Sequence, residues 1–146
     1  MSSKPSVLFV CVKNAGKSQM AAGLMKHFAG DAIEVHSAGT KAGTALNELS
    51  AQSLLEVGVD ITAERPKAIT ADMVRSADLV VTLGREAHVD EVDGTRFEQW
   101  VTDEPSERGI DGIERMRLVR DDIAARVRAL TAELGVAPQR GHDLTL

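Results

Sequence analysis

Residues 7–24 read VLFVCVKNAGKSQMAAGL and hold the chain's only cysteine, Cys11, at the end of an apolar run. Unbroken Val, Leu and Phe over residues 7–11 is the pattern of a strand covered on both faces, as in a parallel sheet. The small and polar residues that follow mark a loop. Over residues 19–28 the apolar positions Met20, Leu24 and Phe28 recur at a spacing of four, which lays one stripe along a helix, and Gly30 supplies its stop. The unit is strand, loop, helix, and it sets the class of everything after it.

The alternation continues. IEVHS at residues 33–37 alternates apolar and polar positions as a strand that AGT ends. Leu49, Leu54, Leu55 and Val57 predict a helix over residues 47–57, closed by Gly58, and residues 70–76 a further one with Thr70 as N-cap and Met73 inward. DLVVTL at residues 78–83 is the next buried strand, and FEQWV at 97–101 a short fourth. Residues 110–134 carry Ile113, Met116, Val119, Ile123, Val127, Leu130 and Leu134 at steps of three and four, one long amphipathic helix. This order specifies an α/β fold: an open four-stranded parallel sheet flanked by helices on both faces. Ligands of such sheets bind beyond the carboxyl ends of the strands, where Cys11 lies. Residues 1–146 are expected to form a single domain without linker or internal repeat, with the tail from about residue 136, containing Pro138 and Gly141, fraying.

Composition narrows the function. With 43% hydrophobic and 27% charged residues the chain is globular, which excludes disorder and collagen-like repeats. A net charge of -5 gives no general attraction to nucleic acid or an anionic membrane, so neither is an expected partner. No apolar run approaches the roughly 18 residues of a spanning helix, and residues 1–6 lack the apolar core of a signal peptide. The expected location is the cytoplasm. His27, His36, His88 and His142 are scattered without metal-ligand spacing, so no metal is assigned. One cysteine cannot form an internal disulfide, so any redox chemistry borrows a thiol from another molecule.

The loop from Cys11 to Ser18, CVKNAGKS, is the chemical centre. A loop of this length between a strand end and a helix N-terminus can turn several backbone N–H groups inward, with Gly16 easing the curl. The result is a cup for a tetrahedral oxyanion. The helix dipole and Lys17 favour negative charge there, the same field favours thiolate at Cys11, and Ser18 can donate to the sulfur. A buried cysteine also packs as a small hydrophobe, Gly16 also reads as a turn glycine and Ser18 as a helix N-cap. Loop, lysine, serine and helix start together favour the nucleophile.

VLFVCVKNAGKSQMA resembles the active-site loop of the low-molecular-weight protein tyrosine phosphatase superfamily, whose motif is Cys, five residues, Arg, then Ser or Thr. HSAGT, LLEVGVDIT, DLVVTL, W, EP, R and VRDDI further on are similar to its arsenate reductase branch, and the resemblance runs over about residues 6–134. It implies a low-molecular-weight phosphatase-like fold, Cys11 as nucleophile, and an oxyanion cradle of Val12, Lys13, Asn14, Ala15, Gly16, Lys17 and Ser18. It also implies an acid directly before a proline after the fourth strand. In WVTDEP strict alignment favours Glu104 and residue type favours Asp103, so both are candidates beside the plain reading of an acidic turn. Asn14 matches the loop asparagine that holds the loop's conformation, and asparagine's tolerance of left-handed backbone accounts for it equally. His36 and Ser37, at the end of the second strand, are expected to support the scaffold.

Two departures sharpen the resemblance. Lys17 stands where the motif has arginine, replacing a bidentate fork by a point charge. The thioredoxin-coupled reductases carry further cysteines, one just after the strand matching VVTL, and here that position is Gly84. Both features resemble the actinobacterial arsenate–mycothiol transferases. That resemblance implies condensation of arsenate with mycothiol as co-substrate, no resident cofactor, and a separate glutaredoxin-like mycoredoxin that releases arsenite. Two other readings stand beside it. A tyrosine phosphatase is disfavoured by Lys17, by the missing Asp-Pro-Tyr acid motif, and by 3% aromatic residues with no tyrosine; an inactive oxyanion-binding protein is favoured by the Arg-to-Lys change. Arg115, Arg117 and Arg120, followed by Asp121 and Asp122, are expected on a solvated face, with Lys13 and Lys67 better placed to meet a co-substrate. The oligomeric state is left open.

Overall fold

Every residue of β1 (Ser6–Cys11) is buried, as its unbroken apolar run requires. The structure, a computed structural model, describes residues 4–136. β1 pairs in parallel with β2 (Glu34–Gly39) on one side and β3 (Leu79–Leu83) on the other, and β4 (Arg96–Trp100) extends the sheet to the order β2-β1-β3-β4. Parallel neighbours need crossovers. α1 (Lys17–Ala29) links β1 to β2, α2 (Glu48–Leu55) and α3 (Ala71–Ser76) lie between β2 and β3, and α4 (Gly112–Glu133) follows β4. The expected four-stranded α/β architecture is the observed one.

Alternate residues of β1 serve opposite faces. Val7 and Phe9 join Met20, Leu24 and Phe28 of α1 and Ile123 and Val127 of α4 in the larger core, while Leu8 and Val10 meet Val74 of α3 on the other face. Phe9 and Trp100 pack with ring centroids 5.7 Å apart. The register places Cys11 opposite Gly39 at the carboxyl edge of the sheet.

Several boundaries differ from the sequence expectation for local reasons. β2 runs on to Gly39 because Ala38 and Gly39 pair with Val10 and Cys11. α1 starts at Lys17, earlier than the apolar stripe marks, and stops at Gly30 with φ 58°. Asn47 caps α2, accepting from the Ser50 amide at 2.9 Å, and that helix ends at Leu55, short of the turn at Gly58. Thr70 caps α3 by accepting from the Met73 amide at 3.2 Å, while Met73 itself is half-buried. A 3-10 turn at Pro105–Arg108, with no periodic signature, precedes α4. Pro138, Gly141 and His142 lie outside the described residues.

The arginine face of α4 is a correction. Arg120 is only 7% exposed, and its Nη1 donates to Ser53 O at 2.9 Å and to Glu56 Oε1 at 3.1 Å. Arg117 grips both oxygens of the same Glu56, whose carboxyl it holds below the usual range. Arg117 does lie on the exposed face, but Arg120 does not; together they lock α4 to the end of α2 through Glu56. No helix among the described residues is long and apolar enough to cross a membrane.

Ile123 is fully buried between helices and sheet, so truncation leaves a void that its neighbours close only in part. Ile123→Ala is expected to cost about 3 kcal/mol of unfolding free energy. A urea titration should show a lowered midpoint with an unchanged slope.

Candidate active site

The loop after β1 is held from outside by a single segment of chain. Cys11 O accepts from the Thr40 amide at 3.1 Å, Val12 O from Lys41 at 2.8 Å, Lys13 O from Gly43 at 2.9 Å and Ala15 O from Asn47 at 2.8 Å. A trans peptide plane points its N–H opposite its C=O, and no described peptide is cis. The amides of Val12, Lys13, Asn14 and Gly16 therefore point away from that segment, and among the described residues they donate to no backbone carbonyl. Beside them α1 begins at Lys17, with Gly16 at its cap and no side-chain cap bond. Free amides and the positive end of a helix dipole together form an anion cup.

The cup keeps its shape through Gly39 and Asn14. A Cβ at Gly39 would stand 2.6 Å from Val12 O and 2.9 Å from Asn14 N, so only glycine lets β2 approach the loop. Asn14 has φ 52° and is fully buried. Its Oδ1 accepts from the Lys67 amide at 2.8 Å and from Gln19 Nε2 at 3.1 Å, and its Nδ2 donates to Ser18 Oγ at 2.7 Å. Asn14 thus takes the left-handed backbone that asparagine tolerates, while Gly16 has φ −129°. Gly16 is nevertheless crowded, its absent Cβ lying 3.3 Å from Ser50 Oγ.

Cys11 Sγ lies 2.9 Å from Ser18 Oγ, at the floor of the loop. Ser18 Oγ accepts from Asn14 Nδ2 and keeps its own proton available for the sulfur. Ser18 is the second residue of α1 and not its N-cap, which overturns the capping alternative.

Lys17 Nζ stands 3.7 Å from Glu104 Oε1. Glu104 is gripped by Arg115, whose Nε donates to Oε2 at 2.9 Å and Nη2 to Oε1 at 3.0 Å, and Ser106 Oγ donates to Oε2 at 2.8 Å. The Arg115 fork holds the Glu104 carboxyl down to about 2. Asp103 turns instead to Arg108, accepting at 2.8 and 3.1 Å, and is likewise held below the usual range by that fork. Of the two candidate acids only Glu104 contacts the cradle, through Lys17, and both carboxyls are held below their usual range by arginine forks.

The remaining candidates separate. Lys13 is exposed, whereas the Lys67 backbone supports Asn14 and its Nζ contacts Arg65 O at 3.2 Å, burial pushing that ammonium down. Ser37 is buried in β2; His36 is exposed beside Glu34, and His88 beside Asp90. No group of three His, Cys, Asp or Glu side chains among the described residues could hold a metal. Sequence reasoning missed Gly39, Gln19 and Arg115. Gln19 had one usable signal, a polar residue beside the apolar stripe of a helix.

A parallel α/β sheet that sets one cysteine at the floor of a loop with inward amides at a helix start defines a protein of the phosphatase-loop class. The chain belongs to the low molecular weight phosphotyrosine protein phosphatase family, whose model matches residues 6–139. It is 37% identical over 140 residues to an arsenate reductase of Shouchella clausii, covering 91% of this chain and 99% of that one. An arsenate reductase of Bacillus subtilis is 35% identical over 136 residues, covering 88% and 96%. Among solved structures, the thioredoxin-dependent arsenate reductase of Corynebacterium glutamicum superposes with TM-score 0.78 at 34% identity. That match covers 92% of this chain, which spans only 63% of the Corynebacterium chain.

Gly39→Ala forces a methyl group into the loop backbone and is expected to cost about 1–3 kcal/mol of stability. It should also weaken inorganic phosphate binding about tenfold or more by spoiling the amide geometry, readable by calorimetry. Glu104 supplies a pH dependence. Its folded value, about 2, lies below the ordinary 4.5, so its contribution to stability is fully present above 4.5 and lost as pH falls towards 2. The melting-temperature gap between wild type and Glu104→Gln should therefore close across that window.

Proposed function

We propose that the protein is an arsenate reductase of the single-cysteine kind, condensing arsenate with an external low-molecular-weight thiol, mycothiol being the leading candidate. The observation that carries this reading is Cys11 at the floor of the amide cup with no second cysteine in the chain. The arsenate reductases to which the chain is similar support the substrate. The thioredoxin dependence of the Corynebacterium enzyme does not transfer as an internal disulfide cascade, because one thiol cannot make one.

In the mechanism we favour, arsenate sits on the amides of residues 12–16 with Lys17 and Ser18 at its side. The Cys11 thiolate attacks arsenic, an As–S bond forms, and one oxygen departs as water after taking a proton. The thiolate of the co-substrate then attacks the same arsenic and expels Cys11, giving an arseno-thiol in which arsenic is still pentavalent. The proton consumed in the first step equals the one the thiol releases in the second, so the condensation needs no net proton. Glu104, whose Oε1 stands 3.7 Å from Lys17 Nζ, is the candidate donor of that proton, with Asp103 beside it as the alternative. Reduction follows elsewhere: a mycoredoxin thiol attacks the sulfur of the adduct and frees arsenite. In a second version Cys11 only positions the incoming thiol. The cytoplasm, which supplies such thiols, belongs to the same proposal.

Arsenite release in the presence of arsenate, mycothiol and mycoredoxin tests the reading. Wild type should turn over, and Cys11→Ser should lose activity by about a thousandfold or more. Mass spectrometry after arsenate treatment separates the two versions, an arsenic adduct on Cys11 supporting direct attack. Rapid turnover of a chromogenic aryl phosphate without arsenite formation would overturn the proposal in favour of a phosphatase.

A further inference from the structure

Lys17 has to do with one rotatable ammonium what an arginine does with a planar fork. A guanidinium meets an oxyanion through two parallel donors whose directions are fixed by the group itself. An ammonium on a four-carbon stem has no such direction, so its usefulness depends on what holds it. In this chain the holding group lies outside the loop. Glu104, at the start of the 3-10 turn, presents Oε1 to Lys17 Nζ at 3.7 Å. Its own freedom is removed by Arg115, which bonds both oxygens at 2.9 and 3.0 Å, and by Ser106 at 2.8 Å. Arg115 stands in the first turn of α4, a helix whose body is packed into the main core.

We propose that Arg115 is a positioning residue for oxyanion binding: by clamping Glu104 it tethers the Lys17 ammonium at the rim of the cup, so that three side chains supply the orientation one arginine would carry alone. The inference rests on the reading of residues 11–18 as an oxyanion site and not on the identity of the thiol. Lys17, Glu104 and Arg115 are all partly buried, with side chains 25%, 29% and 29% exposed, which keeps water from screening the chain of charges fully. The groups facing Glu104 are Lys17 from α1, Arg115 from α4, Ser106 from its own turn and the neighbouring Asp103, while Asp111 at the cap of α4 faces Arg115. Lys17 and Arg115 both pair with Glu104, so the carboxylate is shared between two cations. At 3.7 Å the Lys17 contact is a steering ion pair longer than a close hydrogen bond, so an entering anion can share the ammonium without first breaking a short bond.

The test is calorimetric titration of the full chain with inorganic phosphate, an inert probe of the cup that involves no thiol. Arg115→Met and Glu104→Gln should each weaken phosphate binding about five- to tenfold, and the double variant should bind no worse than either single one. Arg115→Lys should recover part of the loss, since a point charge can hold one Glu104 oxygen. In a Lys17→Arg background the same substitutions should cost less than about twofold, because a fork orients itself. Thermal unfolding identifies any variant that does not fold; Glu104→Gln, which preserves shape, carries the comparison if Arg115→Met fails. Equal losses in both backgrounds, additive losses in the double variant, or no loss at all would overturn the inference while leaving the oxyanion site standing. Failure of the wild-type protein to bind phosphate would overturn both.

Discussion

Four carbonyls of the loop after β1 accept hydrogen bonds from one passing segment, through the amides of Thr40, Lys41, Gly43 and Asn47, and the rest of the site depends on that clasp. A backbone cup works only if its N–H groups are kept from pairing among themselves, and planarity of the peptide makes that a question of where the carbonyls go. The strand order answers it. β2 lies beside β1, so the chain leaving β2 at Gly39 runs along the loop leaving β1 and can accept the duty of satisfying its oxygens. The same segment ends at Asn47, whose side chain starts α2, so the outer wall of the cup is continuous with the helix that Arg117 and Arg120 bind to α4. Loop, edge strand and two helices thus constrain one another.

Electrostatics at the cup is local and does not follow the net charge. The chain carries -5 overall, yet the amides of the loop, the start of α1, Lys17 and Arg115 present positive potential at one point of the sheet edge. Glu104 is the acidic residue nearest Lys17, and its ion pairs explain why it is tolerated there. Held by Arg115, it costs the site one negative charge and returns a fixed position for the ammonium that faces it. An unclamped carboxylate could fold into the cup and compete with an oxyanion for the same amides.

What was legible in the sequence was what short-range pattern encodes. The β1 run, the Met20–Leu24–Phe28 stripe and the long α4 periodicity gave the layers, because core-facing positions repeat within a few residues. The thiol, lysine and serine of the loop were legible because strand end and helix start are adjacent in the chain. Gly39 was not, since its close approach to Val12 and Asn14 exists only once two strands pair. Arg120 was misread for a similar reason: a charged residue on an amphipathic helix resembles a solvated one until its partner, 64 residues away, is in place. Ser18 shows a subtler limit. A serine near a helix start ordinarily caps it, but here the Cys11 sulfur and the Asn14 amide occupy the hydroxyl, and Gly16 takes the cap position unaided.

The position after β3 extends this argument from the residues present to a residue that is absent. Thr82 pairs with Val10 in register, which puts Leu83 level with Cys11 and Gly84 one residue further out. Gly84 has φ 92°, its amide donates to Trp100 O at 2.9 Å and its carbonyl accepts from Gln99 Nε2 at 3.2 Å, so the turn is fixed at both ends in a conformation that side chains resist. A cysteine placed there would have to adopt left-handed backbone or break the turn before its sulfur could approach Cys11. With one cysteine in the chain, a thiol that meets Cys11 comes from another molecule, and Lys17, Glu104 and Arg115 stand together beside the loop that holds Cys11.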